Sequence, residues 1–320
     1  MSKKTKNWLC VATSLVLVGG IIFAGVMTVL KWDFLKLDTS KFETNMHEIT
    51  EDFEGITINT KTANIEFALT DGECKVVCYE QSKVKHSVSV ENGTLTVNVN
   101  DQRKWYNYIG LNFKTPKITV YLSQGQYGAL NIEDCSGDIK IAGGFGFQSI
   151  DIASKTGKVD VYASVTDTLK IDLTTGDTRV ENLSAGKLQI TTSTGDITVK
   201  SVNCVGDIKV NVSTGDIKLT DVNCGSITSS GSSTGDISLK NVIANGTLSL
   251  KTSTGDIKLN GCDALELFMT TDTGDVEGSL LSEKVFIVKT DTGDVDVPKT
   301  VAGGRCEITT DTGDIEFTIK

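Results

Sequence analysis

The sequence predicts an all-β fold: a parallel β-solenoid of about ten 19–20-residue rungs with an N-terminal hairpin cap, preceded by one transmembrane helix. Three observations predict it. A Gly-Asp phrase followed by a β-branched residue, as in Ser193-Thr194-Gly195-Asp196-Ile197, recurs with its glycines at 137, 157, 176, 195, 215, 235, 255, 274, 293 and 313, always 19 or 20 residues apart and with Lys158 once in place of the Asp. Apolar residues alternate at period two on both sides of each glycine. Near the N-terminus, 23 residues from Trp8 to Leu30 carry no charge, enough to cross a bilayer as a helix.

Aligning the copies on their glycine separates the chain into columns. Two and four places after it stand pairs such as Ile139/Ile141, Val159/Val161, Ile197/Val199, Ile217/Leu219 and Ile315/Phe317. Seven and five places before it stand Leu169/Ile171, Leu188/Ile190, Leu248/Leu250 and Phe286/Val288. Each copy therefore holds two strands with one apolar face each, joined at the Thr-Gly-Asp corner. Glycine there supplies a positive φ, and the Asp carboxylate is expected to bond backbone N–H groups of its own turn. One copy cannot bury its apolar face alone, so the copies must stack. Ten rungs at about 4.8 Å make a rod of roughly 48 Å. Propeller blades need about 40 residues, and ankyrin-like repeats show helical spacing. The Ser229–Ser233 run puts serine where the other rungs have apolar residues, so a bulge is expected there.

The chain divides into a cytoplasmic stub and transmembrane anchor (1–30), a stalk (31–48), a strand-rich N-terminal cap (49–122) and the solenoid repeats (123–320). Lys3, Lys4 and Lys6 precede the apolar run with no acid among them, which favours a cytoplasmic N-terminus and an extracytoplasmic repeat domain in a single-pass membrane protein. No small-x-small cleavage site precedes Lys31, so an uncleaved anchor is expected in place of a signal peptide. In the cap, Ala63-Asn64-Ile65 resembles a degenerate copy of the phrase, and Asn92-Gly93 between two alternating runs predicts a hairpin. Lys104-Trp105-Tyr106-Asn107-Tyr108 is the aromatic cluster outside the anchor.

After the first thirty residues, 28 basic against 41 acidic side chains leave a net charge of −13, which argues against nucleic acid as a partner. Of the eight cysteines, Cys204 and Cys224 stand where other rungs have Ala185, Ala244 and Ala264, and Cys262 and Cys306 occupy columns otherwise filled by Val, Leu or Phe, so they read as small buried hydrophobes with free thiols. Asp-Thr-Gly at 272–274, 291–293 and 311–313 is the signature tripeptide of aspartic proteases. Upstream copies put Ser in place of that Asp, and a protease needs two facing carboxylates. The Asp after each glycine should form a column, and in the last three copies a second acid joins it. Asp272, Asp275, Asp291, Asp294, Asp311 and Asp314 are therefore the candidate cation ligands, with Ca²⁺ the ion their oxygens would suit. No other cofactor is implied.

The Ser-Thr-Gly-Asp-Ile copies, the later Thr-Asp-Thr-Gly-Asp-Val copies and the Lys104-Trp105-Tyr106 segment resemble a bacterial family of unknown function described as "putative adhesins" with β-strand repeats. The resemblance covers about residues 49–320. It implies a membrane-tethered extracytoplasmic solenoid, associated in some relatives with envelope stress systems, and it supplies no catalytic residues. Two functions remain open. One is a non-enzymatic cell-envelope structural, binding or adhesin-like module, with an envelope glycan or protein as partner. The other is a polysaccharide-active parallel β-helix enzyme, which needs an acid/base pair and sugar-stacking aromatics. Because the last strand runs to Lys320, the C-terminal edge of the stack is expected to be open to self-association.

Overall fold

The computed structural model describes residues 2–37, 41–104 and 114–320. The apolar run is helical as expected: helix α1 spans Lys3–Val29, capped by the Ser2 hydroxyl, which accepts from the Thr5 N–H at 3.2 Å. It is long and apolar enough to span a membrane. Everything after residue 41 is dominated by strands: β1 Phe42–Glu48, β2 Gly55–Asn59, β3 Asn64–Leu69, β4 Lys75–Gln81, β5 Val84–Glu91, β6 Thr94–Asp101, β7 Lys117–Leu122, β8 Gln126–Ser136 and β9 Ile139–Ile141. Strand β1 lies inside the segment assigned to the stalk, because Phe42, Thr44 and Met46 pair antiparallel with β4. The aromatic residues 105–108 lie outside the described residues.

The repeats form a parallel β-solenoid of about nine turns. Two parallel ladders run its length. One stacks Leu130, Ile150, Leu169, Leu188, Ile208, Ile227, Leu248 and Leu267; the other stacks Ile139, Val159, Thr178, Ile197, Ile217, Ile237, Ile257 and Val276. These are the columns the alignment predicts, and they line a core of fully buried Ile, Leu and Val. The register slips between Ser229 and Ser232, the place of the expected bulge. Before the first Gly-Asp copy, β2 and β3 form a genuine rung, with Ile56 beside Leu130 and Ile65 beside Ile139. Strands β6 and β7 add one more parallel rung. Beyond them the direction changes: β5 pairs antiparallel with β6 through the Asn92-Gly93 hairpin, and β4 pairs antiparallel with β7.

The far end departs from the expected order. Strand Lys284–Thr292 does not lie against Leu267. Instead Cys306 lies between Leu267 and Phe286, and Ile315 lies between Val276 and Val295. The chain skips one position, lays down residues 284–297, then returns to fill the gap with residues 304–319. The edge of the stack is therefore residues 284–297 and not the C-terminal strand.

The Gly-Asp corner is more constrained than a positive φ alone would make it. From Gly157 onward each corner glycine has φ between +131° and +151°. A Cβ there would come within 2.0–2.3 Å of the carbonyl oxygen of the neighbouring corner glycine. A second corner, which the alignment does not reveal, turns on residues in the left-handed region: Asn182, Ser201, Asp221, Asn241 and Gly261, with φ of 52–63°. Asn and Asp tolerate that region better than other side chains, which explains most of this column.

Gly195→Ala should lower stability by at least about 2 kcal/mol, because it combines a disfavoured φ with a backbone clash. Gly72→Ala, where the nearest atom is a hydroxyl at 3.7 Å, is the matched control and should shift a denaturant midpoint little. Equal midpoints for the two variants would contradict the tight corner.

Candidate functional site

The Asp column is built by the corner. Each carboxylate accepts a hydrogen bond from the backbone N–H of the corresponding residue one rung further on, and not from its own turn as expected. Asp177 Oδ1 accepts from Asp196 N–H at 3.0 Å, Asp196 from Asp216 at 2.9 Å, Asp216 from Asp236 at 2.9 Å, and Asp236 from Asp256 at 2.9 Å. The ladder continues through Asp256, Asp275 and Asp314 to the N–H of Asp294. Asn64 begins it, with its Oδ1 2.9 Å from the N–H of Asp138. Each bond holds adjacent corners together and ties up one oxygen of the carboxylate. Like charges about 4.8 Å apart repel by roughly 0.9 kcal/mol in water, and the charge-assisted N–H bond opposes that.

The six cation candidates divide into two sets. Asp275 and Asp314 sit inside the ladder, and Asp294 ends it. Asp272, Asp291 and Asp311 are exposed, stacked in the order 272, 311, 291 because Thr310 lies between Thr271 and Thr290. Asp291 is 3.0 Å from the Lys289 ammonium. Among the described residues, the group whose ligand atoms converge within 4.8 Å is Cys78, Glu80 and His86, and none of the six belongs to it.

That cluster is buried under the antiparallel cap. Glu80 Oε2 accepts from both the N–H and Nδ1 of His86 at 2.7 Å, and its Oε1 accepts from Asn45 at 2.7 Å. His86 Nε2 lies 3.0 Å from the Thr60 hydroxyl. Burial pushes the Cys78 thiol up to about 12, so it stays a thiol and not the thiolate that metals prefer. With its polar atoms bonded internally, the cluster fastens the β4–β5 hairpin to the rung formed by β2.

The inward column three places before the corner glycine is the one sequence reasoning passes over. Thr252, Thr271 and Thr310 donate their hydroxyls to glycine carbonyls of the neighbouring rung at 3.1 Å, and Thr290 does so at 3.0 Å. In that column Asp134 replaces the hydroxyl. It is 6% exposed, and neither carboxylate oxygen has a partner of normal geometry. Burial pushes its carboxyl up to about 6 against the pull of the Cys135 and Ser136 N–H groups. At the same place, a groove of about 610 Å³ lined by Asp134 runs beside Asn59, Lys61, Val99, Glu133, Lys155 and Asp172, where the cap meets the first rungs. It mixes both charge signs over a largely apolar floor.

None of the eight cysteines is bridged to another in the structure. Cys204 pairs with Ala185 and Cys224 with Ala244 in the expected column. Burial raises the pKa of Cys224 to about 12.

The chain belongs to the Toastrack DUF4097 family, whose model matches residues 53–221 and 203–320. None of the curated proteins matches it. Among solved structures, a Parabacteroides distasonis protein described as a "putative lipid binding protein" is 18% identical with a TM-score of 0.45, covering 88% of this chain and 98% of its own. A second from the same organism, described as a "putative adhesin", is 12% identical with a TM-score of 0.47 and the same coverage. A "putative adhesin" from Bacteroides fragilis is 16% identical with a TM-score of 0.32, covering 88% of this chain and 99% of its own.

Asp216→Asn should keep the ladder, since Asn64 already plays that part, and should raise the melting temperature slightly at low salt by removing a charge from the column. Asp216→Ala loses the bond and should cost about 1 kcal/mol. Thermal melts at low and high salt check both, and an Asn variant as damaged as the Ala variant would refute the ladder. For Asp134 the sign follows from its raised carboxyl. Its neutral form is favoured in the fold, so stability is fully present below the unfolded value near 3.9 and is lost as pH rises through about 6. Asp134→Ser should therefore stabilise the protein at pH 7 by roughly 1–3 kcal/mol, and the advantage should vanish by about pH 4.

Proposed function

We propose that this Toastrack-family chain is a non-enzymatic, membrane-anchored module whose solenoid stands outside the cell and binds envelope polymer or protein in an adhesin-like manner. The observation that carries this reading is how the repeated polar groups are used. The corner aspartates bond the next rung's amides, and the inward threonines bond glycine carbonyls, so the conspicuous repeated residues build a rigid rod. A long apolar helix precedes that rod, and the three lysines at its N-terminal end favour the cytoplasm. The mixed-charge groove at the junction of cap and repeats is the surface where a polar polymer with apolar patches would settle, between Lys61 and Lys155 on one hand and Glu133 and Asp172 on the other.

The full chain in detergent micelles should bind isolated envelope glycan fractions saturably and leave them chemically unchanged. Lys61→Glu combined with Lys155→Glu should weaken that binding several-fold without shifting the melt. Release of new reducing ends would overturn the non-enzymatic reading, and failure to bind any envelope fraction would overturn the binding one.

A further inference from the structure

The edge rung, residues 284–297, presents an unfinished version of every interaction that the interior rungs complete. Interior N–H groups at the corner donate to the following rung: Gly313 N–H bonds Thr292 O at 2.9 Å, and Ile315 N–H bonds Asp294 O at 2.9 Å. The matching N–H groups of Gly293 and Val295 face away from the stack. The Asp294 carboxylate ends the ladder at a position where every interior corner aspartate receives an amide. The core is also open here. Val295 is 46% exposed, while its counterpart one rung inward, Ile315, is 1% exposed, and Phe286 and Val288 are only partly buried where their partners Cys306 and Ile308 are fully buried.

We propose that this edge pairs with the same edge of a second copy, tail to tail about a two-fold axis, so that the Lys284–Thr292 strands meet antiparallel. The charges select the register. With the axis at Thr290, Lys289 of one copy stands opposite Asp291 of the other, twice, enlarging the 3.0 Å pair that each copy already holds into an alternating square. The axis runs perpendicular to the sheet, so Phe286 and Val288 of both copies stay on the core side, with Val288 of each copy opposite Thr292 of the other. The opposite end of the stack cannot take the same part. There the parallel rungs stop at β6 and β7 and are covered by the antiparallel β4 and β5, which carry no Gly-Asp corner. Association is therefore isologous and closes at two copies instead of growing into a filament. It also sends the two caps, and the anchors that precede them, in opposite directions, so the second copy belongs to a facing membrane.

This inference rests on the proposed anchored reading only for where the two copies stand. Sedimentation of the full chain in detergent micelles should show a dimer. Asp291→Lys places four lysines around the axis and should weaken dimerisation at least tenfold, while Lys289→Asp combined with Asp291→Lys should restore it. Both side chains are exposed, and a melt of each variant confirms that the fold is kept. A chain that stays monomeric at every concentration, a double exchange that fails to restore pairing, or open filaments would each overturn the proposal. Two populations of vesicles bearing the chain should cluster; a dimer in micelles without vesicle clustering overturns the facing arrangement. A monomer that still binds envelope fractions removes this inference and leaves the proposed function standing, whereas a dimer that binds none does the reverse.

Discussion

The structure depends on how closely successive backbones approach at one corner. A Cβ on any corner glycine from 157 onward would meet a carbonyl oxygen at 2.0–2.3 Å, so the corner can be built only from glycine. That approach sets the rest. It brings each aspartate within reach of the next rung's amide at 2.8–3.0 Å. It also brings the inward threonine hydroxyls within 3.0–3.1 Å of the glycine carbonyls. Neither bond needs a long side chain, which is why the column holds Asp and Thr and not Glu or Gln. The repeat phrase is thus one geometric solution written repeatedly, and its charge is a by-product of the acceptor it needs.

Departures from the phrase show which parts are separable. Lys158 interrupts the aspartates: its N–H still bonds Asp138 at 2.9 Å, but it offers no oxygen to Asp177. The stack survives this missing link, as expected where stability is a sum of nearest-neighbour terms. Its ammonium instead reaches Asp160 at 3.0 Å and relieves the line of negative charge. Asn64 fills the role without a charge, which separates the acceptor function from the electrostatics. Asp134 is the reverse case, a charge-bearing group where the column needs a donor. It is the one place where the inward threonine logic fails with a titratable group left unpartnered.

Columns and alternation made the solenoid legible because side chains in stacked parallel strands repeat their environment at every rung. The bulge at Ser229, the Asn92-Gly93 hairpin and the degenerate rung at Asn64 could be read for the same reason. What escaped depends on partners distant in sequence. Strand β1 has ordinary composition and becomes a strand only because β4 offers an edge. The left-handed second corner is hidden because Asn182, Ser201 and Asp221 share no single residue type. The amide that each aspartate binds belongs to a residue about twenty positions away, and local turn chemistry alone points to the wrong donor. The Glu80–His86 pair draws on β4 and β5 with Thr60 on the chain just after β2, so nothing in one stretch announces it.

The order of the last rungs was hidden for a further reason, yet one residue carried it. The apolar pairs Phe286/Val288 and Cys306/Ile308 fit the same column, so alignment cannot tell which rung lies outside. Proline can. The chain contains two, Pro116 and Pro298. Proline donates no hydrogen bond and is confined to edge strands or strand ends. Pro298 stands five places after Gly293, where the interior rungs carry Lys200, Thr220 and Lys240, all of them paired in the ladder. The N–H at that place donates back to the preceding rung, as Tyr162 N–H does to Ile141 O at 2.9 Å, so the strand with proline stops at Asp296; that break interrupts pairing with two neighbours in the interior and with one at the edge. Pro116 immediately precedes β7, the last parallel strand at the opposite end. Both prolines therefore mark the two ends of the parallel stack. The return of residues 304–319 into the gap places the proline-free copy in the interior, with neighbours on both sides, and leaves the interrupted copy at the edge, with one.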